Sequence, residues 1–323
     1  MGPKLITLLA TAIATSTPLI FACLGETLTE RAGIVNLSVE GTILLSAMTG
    51  FAIAKYTHSL LLGFLGAAIV GMLVALIVAY GAITLKQSQV AIGFVLTLLC
   101  GDLSSFLGTP VVRVPGPTVP NFPLPGLQQI PIIGPLLFQA DLLVYSSYLL
   151  IGLCWFYLYR TRSGLTLRAI GEQPAAAFAR GTDVYFWRYF YTLLGGALVG
   201  IAGAAFSLDF KAGWSHRHTA GYGWIALAIV IFGGWHPLRV ALGAYFFGVL
   251  QSLASVAQAT IPQVPTQVFS VAPFVLMIVA LALTSGDWLD RGLCRLPAPL
   301  RHHLIHLLQI SPPAALGKPF APD

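Results

Sequence analysis

The stretch ERAGIVNLSVEG, residues 30–41, sets an amide at Asn36 and a carboxylate at Glu40 among apolar neighbours. Two chemistries fit a glutamate placed just before a greasy run. It can cap the run, because first-turn amides lack intrahelical acceptors and the start of a helix carries partial positive charge. It can instead face a water-filled path, since an unpaired charge at mid-bilayer costs roughly 2.5–3.5 kcal/mol or more. Both readings stay open for Glu40. Asn36 both donates and accepts, which suits backbone groups freed by a break, and Gly33 and Gly41 permit such a break. Asn36, Glu40 and Gly41 are therefore the candidate hinge residues.

Other reactive side chains are sparse. Asp102, in LTLLCGDLSSFLG, has Ser104 and Ser105 beside it and no basic residue within an apolar run to serve as counter-ion, so local hydrogen bonding near an interface is expected. His302, His303 and His306, like His216 and His218, read as interfacial histidines, because no acid or cysteine completes a metal set. There is no phosphate-binding glycine loop, no GxSxG, no HExxH and no Ser/His/Asp order. No catalytic residue and no metal site is expected, and Cys23, Cys100, Cys154 and Cys294 read as reduced thiols.

The elements that must position these residues follow from composition. The chain of 323 residues is 57% hydrophobic and only 9% charged, whereas soluble domains carry about 25% charged residues. Too few charges remain to solvate a globule, so an all-α polytopic membrane bundle is expected. Runs free of Asp, Glu, Lys and Arg, cut by prolines, place about nine spans near 5–25, 38–55, 59–84, 88–108, 142–159, 188–208, 221–234, 238–259 and 267–285. The net charge of +6 calls for a membrane explanation. Placing the arginine-rich segment 160–188 in the cytoplasm puts most of the basic residues inside, with the N-terminus outside and the C-terminus cytoplasmic. Residues 1–290 then form one membrane domain with an external proline-rich loop, 109–141, and residues 291–323 a cytoplasmic tail.

Two sets of elements echo one another. Residues 5–108 and 188–285 each read as a long helix, a hinge, a short helix and two further helices, and they begin on opposite sides. Inverted repeats of this kind place a solute path at their interface and line it with broken helices. Between the sets, EQPAAAFARG reads as a short helix from Pro174 to a stop at Gly181. So short a helix is marginal alone. It either docks into a groove of a cytoplasmic partner through Phe178 or lies on the membrane surface.

At these residues the chain resembles a known family. GETLTERAGIVNLSVEGTILLSA, GLTLRAIGEQPAAAFARGTDV and GYGWIALAIVIFGGWHPLRVALGAYFFGVLQ are similar to segments of permease subunits of ATP-binding-cassette (ABC) importers for branched-chain amino acids, simple sugars and nucleosides, and most similar to the shorter, nucleoside-type permease. The resemblance implies that Glu172, Gln173, Pro174, Ala176, Phe178 and Gly181 form the coupling helix inserted into a separate ATPase. It places Asn36, Glu40 and Gly41 at a break beside the translocation path. It also implies three partners: a second, different permease chain, a cytoplasmic ATPase holding ATP and Mg, and an extracytoplasmic solute-binding lipoprotein. The expected protein is a multi-pass transport subunit of a prokaryotic cell membrane, not an enzyme, and it carries no cofactor of its own. Its expected solute is a nucleoside or related simple sugar. The repeats taken alone would equally fit an ion-coupled carrier of a small polar solute. The tail beyond residue 286 departs from the family's short ending and is assigned no role.

Overall fold

The computed structural model describes residues 3–131, 133–261, 263–285 and 312–321. The helices are α1 (Pro3–Arg31), α2 (Val39–Thr57), α3 (Leu60–Ala79, continued by a π-helical turn Tyr80–Thr84), α4 (Gln89–Leu107), α5 (Leu142–Arg160), α6 (Arg162–Glu172), α7 (Pro174–Ala179), α8 (Val184–Ala205, continued by a π-helical turn Phe206–Phe210), α9 (Tyr222–Phe232), α10 (Pro237–Thr260) and α11 (Thr266–Ser285). The extended pairing among the described residues is one isolated bridge, Asn121 with Asp141. Each of the expected spans falls on a helix. Six of them, α1, α3, α4, α5, α8 and α10, are long and apolar enough to cross a membrane. The figure of nine is not reached on that measure among the described residues: α9 is only 11 residues long, α2 carries Glu40 and Lys55, and α11 counts only as the shorter apolar stretch Thr266–Val279.

The helix at the centre is α8, packed against α1, α2 and α3. Its sequence explains how three helices reach it. Gly195 meets the Gly25 carbonyl of α1, Gly196 and Gly200 meet the Gly71 and Ala67 carbonyls of α3, and Gly203 meets the Ile43 carbonyl of α2. Without β-carbons the backbones approach closely, which is the main source of packing energy where lipid is as apolar as the side chains. Away from this centre, α3, α4, α5, α10 and α11 present Leu61, Val95, Leu149, Leu242 and Ile278 outward, as a lipid-facing perimeter requires.

A long helix, a hinge and three further helices recur in α1–α4 and α8–α11, but only α9, at 11 residues, is short, since α2 has 19 residues, as many as α4. The helices that follow the two hinges, α2 and α9, run apart from a shared point. The start of α2 lies half-way along α4, where Gly93 meets Leu37 and Gly41 would place a Cβ 2.6 Å from the Thr97 Cα. From there α2 runs toward the proline-rich loop, with Phe51 against Gly116. The start of α9 touches Glu40, and its far end reaches Arg31 through the turn at Gly234 and Trp235.

The hinges differ from expectation in position. The first lies at 32–38 rather than at Glu30, because α1 continues to Arg31. Gly33 makes the turn at φ +91°. Gly41 does not break anything: it sits inside α2 and serves the close approach to α4. The second link spans 211–221, since Asp209 belongs to the π-helical end of α8. The proline-rich loop packs over that link, Arg113 N donating to the Trp214 carbonyl and Val119 N to the Leu208 carbonyl, each at 2.9 Å.

Candidate functional site: a junction of two broken helices

Breaking α1 from α2 at half-depth frees backbone groups that lipid cannot satisfy, so the bundle must supply partners. Most come from α4. Gln89 Oε1 accepts from Val35 N, and Thr97 Oγ1 donates to the Leu37 carbonyl, both at 2.7 Å. Asn36 Oδ1 accepts from Ser38 N at 3.1 Å and from the Ser38 hydroxyl. The hinge is thus tied at several points to α1 and α4.

Glu40 lies in the first turn of α2, yet its carboxylate binds the other repeat. Oε1 accepts from Gly221 N at 2.6 Å and Oε2 from Gly223 N at 2.8 Å. Two helix N-termini, those of α2 and α9, thus converge on one buried carboxylate. Each brings partial positive charge and unsatisfied amides, so a single anion answers both. The cap expected for α2 is a bridge to α9 instead. Gly223 lets the helices touch there, since a β-carbon would collide with the Glu40 backbone.

A cavity of about 760 Å³ opens beside this junction. Its wall combines Phe210, Tyr222 and Phe274 with Thr15, Gln251 and Ser252. The rings of Phe210, Phe247 and Phe274 meet Tyr222 at 6.0–6.3 Å, and the Tyr222 hydroxyl accepts from Gln251 Nε2. Gln251 Oε1, Ser252 Oγ and His218 Nε2 are buried without hydrogen-bond partners among the described residues. Burial pushes the His218 imidazole down to about 4, so it stands neutral at ordinary pH. Among the described residues Lys211 lines the cavity and no carboxylate does. Such a wall suits a polar solute with a flat ring and no positive charge.

Two acids escaped sequence reasoning. Glu26 and Glu30 lie inside α1 and are buried, where the first carboxylate had been read as the end of a span. Glu30 accepts from Trp235 Nε1. Glu26 lies close to Asn36, but neither of its oxygens finds a donor in hydrogen-bonding geometry. The adjacent Arg31 donates to the Trp235 and Gly234 carbonyls and lies 3.8 Å from Glu172. Their spacing, i and i+4 with Arg31 next, was the available signal.

Asp102 also differs from expectation. Its partner is Arg217 of the second link, at 2.8 Å, while Ser104 donates to the Leu44 carbonyl. The pair is 65% and 75% exposed, so Asp102→Ala should change stability by only about 0–1 kcal/mol. A melting temperature close to the parent's would agree; a large drop would mean that the pair holds the second link in place.

The expected coupling segment is two elements. Glu172 ends α6, Gln173 links, and α7 begins at Pro174 and ends at Ala179, followed by Gly181 at φ +85°. Glu172 and Gln173 are thus off the short helix. Ala176 is exposed, and Phe178 is 44% exposed. Cys23, Cys100 and Cys154 are buried free thiols. Cys294, His302, His303 and His306 lie outside the described residues, among which no group of three metal-ligating side chains occurs.

With this geometry in view, comparison with known proteins is informative. Residues 8–281 match the family described as branched-chain amino acid transport system, permease component. The chain belongs to that family. It is therefore a transport subunit of an ABC importer rather than an enzyme, and a multi-pass protein of a prokaryotic plasma membrane. It is 39% identical to TsgC13 of Haloferax volcanii, a permease ascribed to glucose ABC transport, over 76% of each chain. It is 33% identical to the nucleoside ABC transporter permease protein NupC of Lactococcus lactis, over 86% of this chain and 92% of that one. It is 32% identical to the guanosine ABC transporter permease protein NupQ of Bacillus subtilis, over 82% and 87%. No solved structure matches the chain. Nothing in these comparisons favours the ion-coupled carrier.

Proposed function

We propose that the chain forms one half of the path by which an ABC importer brings a nucleoside into the cell. The path runs along the junction where Glu40 joins the start of α2 to the start of α9, and the adjoining cavity is its open end. That junction carries the reading, because movement of one repeat against the other must pass through it. Aromatic walls give a nucleobase a stacking surface, while Gln251, Ser252 and Thr15 offer hydrogen bonds to sugar hydroxyls. Lys211 in the lining, with no carboxylate there among the described residues, disfavours cationic solutes. NupC and NupQ are named for nucleoside and guanosine transport and TsgC13 for glucose, so the choice between them rests on the aromatic wall.

Arg160, Arg162, Arg168 and Arg180 flank or lie within α6 and α7, so the positive-inside rule assigns that end to the cytoplasm. There α7 docks on a separate ATPase, which holds ATP and Mg²⁺, through Phe178. A second permease completes the path, and an extracytoplasmic binding protein delivers solute. ATP-driven closure pulls α7, and the two repeats rock about the junction. The deciding experiment is uptake by the assembled transporter in proteoliposomes. Labelled guanosine or uridine should enter with ATP and be displaced by other nucleosides. ATP-dependent uptake of glucose alone would overturn the nucleoside assignment.

A further inference from the structure

The described part of the tail, residues 312–321, sits against the bundle at the place where α6 and α7 meet the two repeats. Ala314 N donates to Glu172 Oε2 at 3.1 Å and Ala315 N to the Gly171 carbonyl at 2.9 Å, fastening the end of α6. Gly317 N donates to the Gly33 carbonyl at 3.0 Å, the turning residue of the first hinge. The Lys318 carbonyl accepts from Arg188 Nη1, and the Phe320 carbonyl from the Tyr185 hydroxyl, each at 3.2 Å, both on α8. The Phe320 ring packs 5.7 Å from Phe178 of α7 and 5.5 Å from Tyr185. Phe320 is itself buried, as is Ala315.

We propose that this tail is a coupling strap, which positions the docking helix and makes α6, α7, the first hinge and the start of α8 move as one body. The proposal rests on the reading of α7 as the ATPase-docking helix. A helix of 6 residues cannot hold its own shape or place, and a pull on it would be lost as local bending. The strap closes that gap. It binds the face of Phe178 turned away from solvent and connects it to the long helices that begin or precede both breaks. Arg188 makes the point sharply. It is buried, its Nε and Nη2 have no partner among the described residues, and its side-chain hydrogen bond goes to the strap. Gly33 packs directly on that guanidinium. The strap, the hinge and α8 therefore share one contact point, and displacing any of them disturbs the others.

The test uses the full transporter in proteoliposomes, with ATP hydrolysis and solute uptake measured together. Removing residues 312–323 should leave ATP hydrolysis running while uptake per ATP falls about tenfold, the factor that about 1.4 kcal/mol of lost coupling produces. Phe320→Ala, which keeps the backbone bonds, should give a smaller fall in the same direction, and it decides the matter if the truncated chain fails to accumulate. Unchanged uptake per ATP in either soluble variant overturns the strap. Phe178→Asp is run beside them: if it leaves coupling intact, the docking role of α7 fails, whereas coupling lost there but kept on truncation removes the strap alone. Finally, Tyr185→Cys with Phe320→Cys, in a chain with Cys294→Ser, is joined by a short bismaleimide. Uptake per ATP should be no lower after linking than in the same double-cysteine chain before linking, because a strap stays seated through the cycle. Arrest on cross-linking would overturn it in favour of a latch that must leave.

Discussion

Replacing Glu40 by Ala is expected to abolish uptake and to destabilise the chain by about 2–6 kcal/mol. The figure comes from the two amides it serves. Gly221 N and Gly223 N both donate to its carboxylate, and each buried donor left without a partner costs about 1–3 kcal/mol. Water cannot easily replace it, since Glu40 is buried and Gly223 packs on its backbone. The loss also removes the anion that answers two converging helix N-termini. Glu40→Gln separates the possible roles. It keeps the length and one accepting oxygen but turns an NH₂ group toward the second amide, so about half of the loss in stability is expected. Melting of the detergent-solubilised transporter and uptake are measured together. Lost uptake with normal melting in the Gln variant would put the charge itself in the path. Parent-like melting and uptake for Ala would remove the bridge from the mechanism.

The second large effect lies at the crossing of α3 and α8. Gly200→Leu should prevent the chain from accumulating as a folded bundle. A β-carbon there runs into the Ala67 carbonyl and lies 3.0 Å from the Ala68 Cα, so the obstacle is backbone and cannot rotate away. Overpacking against movable side chains costs about 1–3 kcal/mol; separating two helices at their tightest point exceeds that, because packing is what holds them together in lipid. Gly200→Ala should fold with a lowered melting temperature. Gly152→Leu, on α5, is the control: nothing lies within 4 Å of its β-carbon, and parent-like behaviour is expected. Equal yields for Gly200→Leu and Gly152→Leu would contradict the close crossing.

Much of the architecture was legible because its cause is local. A helix crossing lipid must satisfy its backbone within itself and be apolar over about 20 residues, and both demands are written along the chain. Hence the expected spans and the observed helices agree within a few residues at most ends. The start of α7 at Pro174 was readable for the same reason, as was the arrest at Gly181, whose positive φ suits glycine. The short α9 followed from run lengths alone, whereas α2, expected to be short, is as long as α4.

What was not legible is pairing across the fold. Charge ended the first span at residue 25, yet Glu26, Glu30 and Arg31 continue α1, because Trp235 and its neighbours supply partners more than 200 residues away. Glu40 read either as the cap of its own helix or as a group facing a water-filled path. Its acceptor atoms were taken by Gly221 and Gly223, which no local pattern connects to it. Asp102 had no counter-ion in its own run and found Arg217 in the second link. The tail carried no periodicity to mark it, and five of its polar contacts reach three separate elements.

The sequence by itself determined the class of protein, the places where helices begin and end, and the residue types available at each break. Hydropathy and helix chemistry act between neighbours, so one chain suffices to read them. Only the tertiary structure decided which break meets which. Glu40 therefore belongs to both repeats, and the last residues of the chain to its docking helix and first hinge, because those partners are chosen by packing.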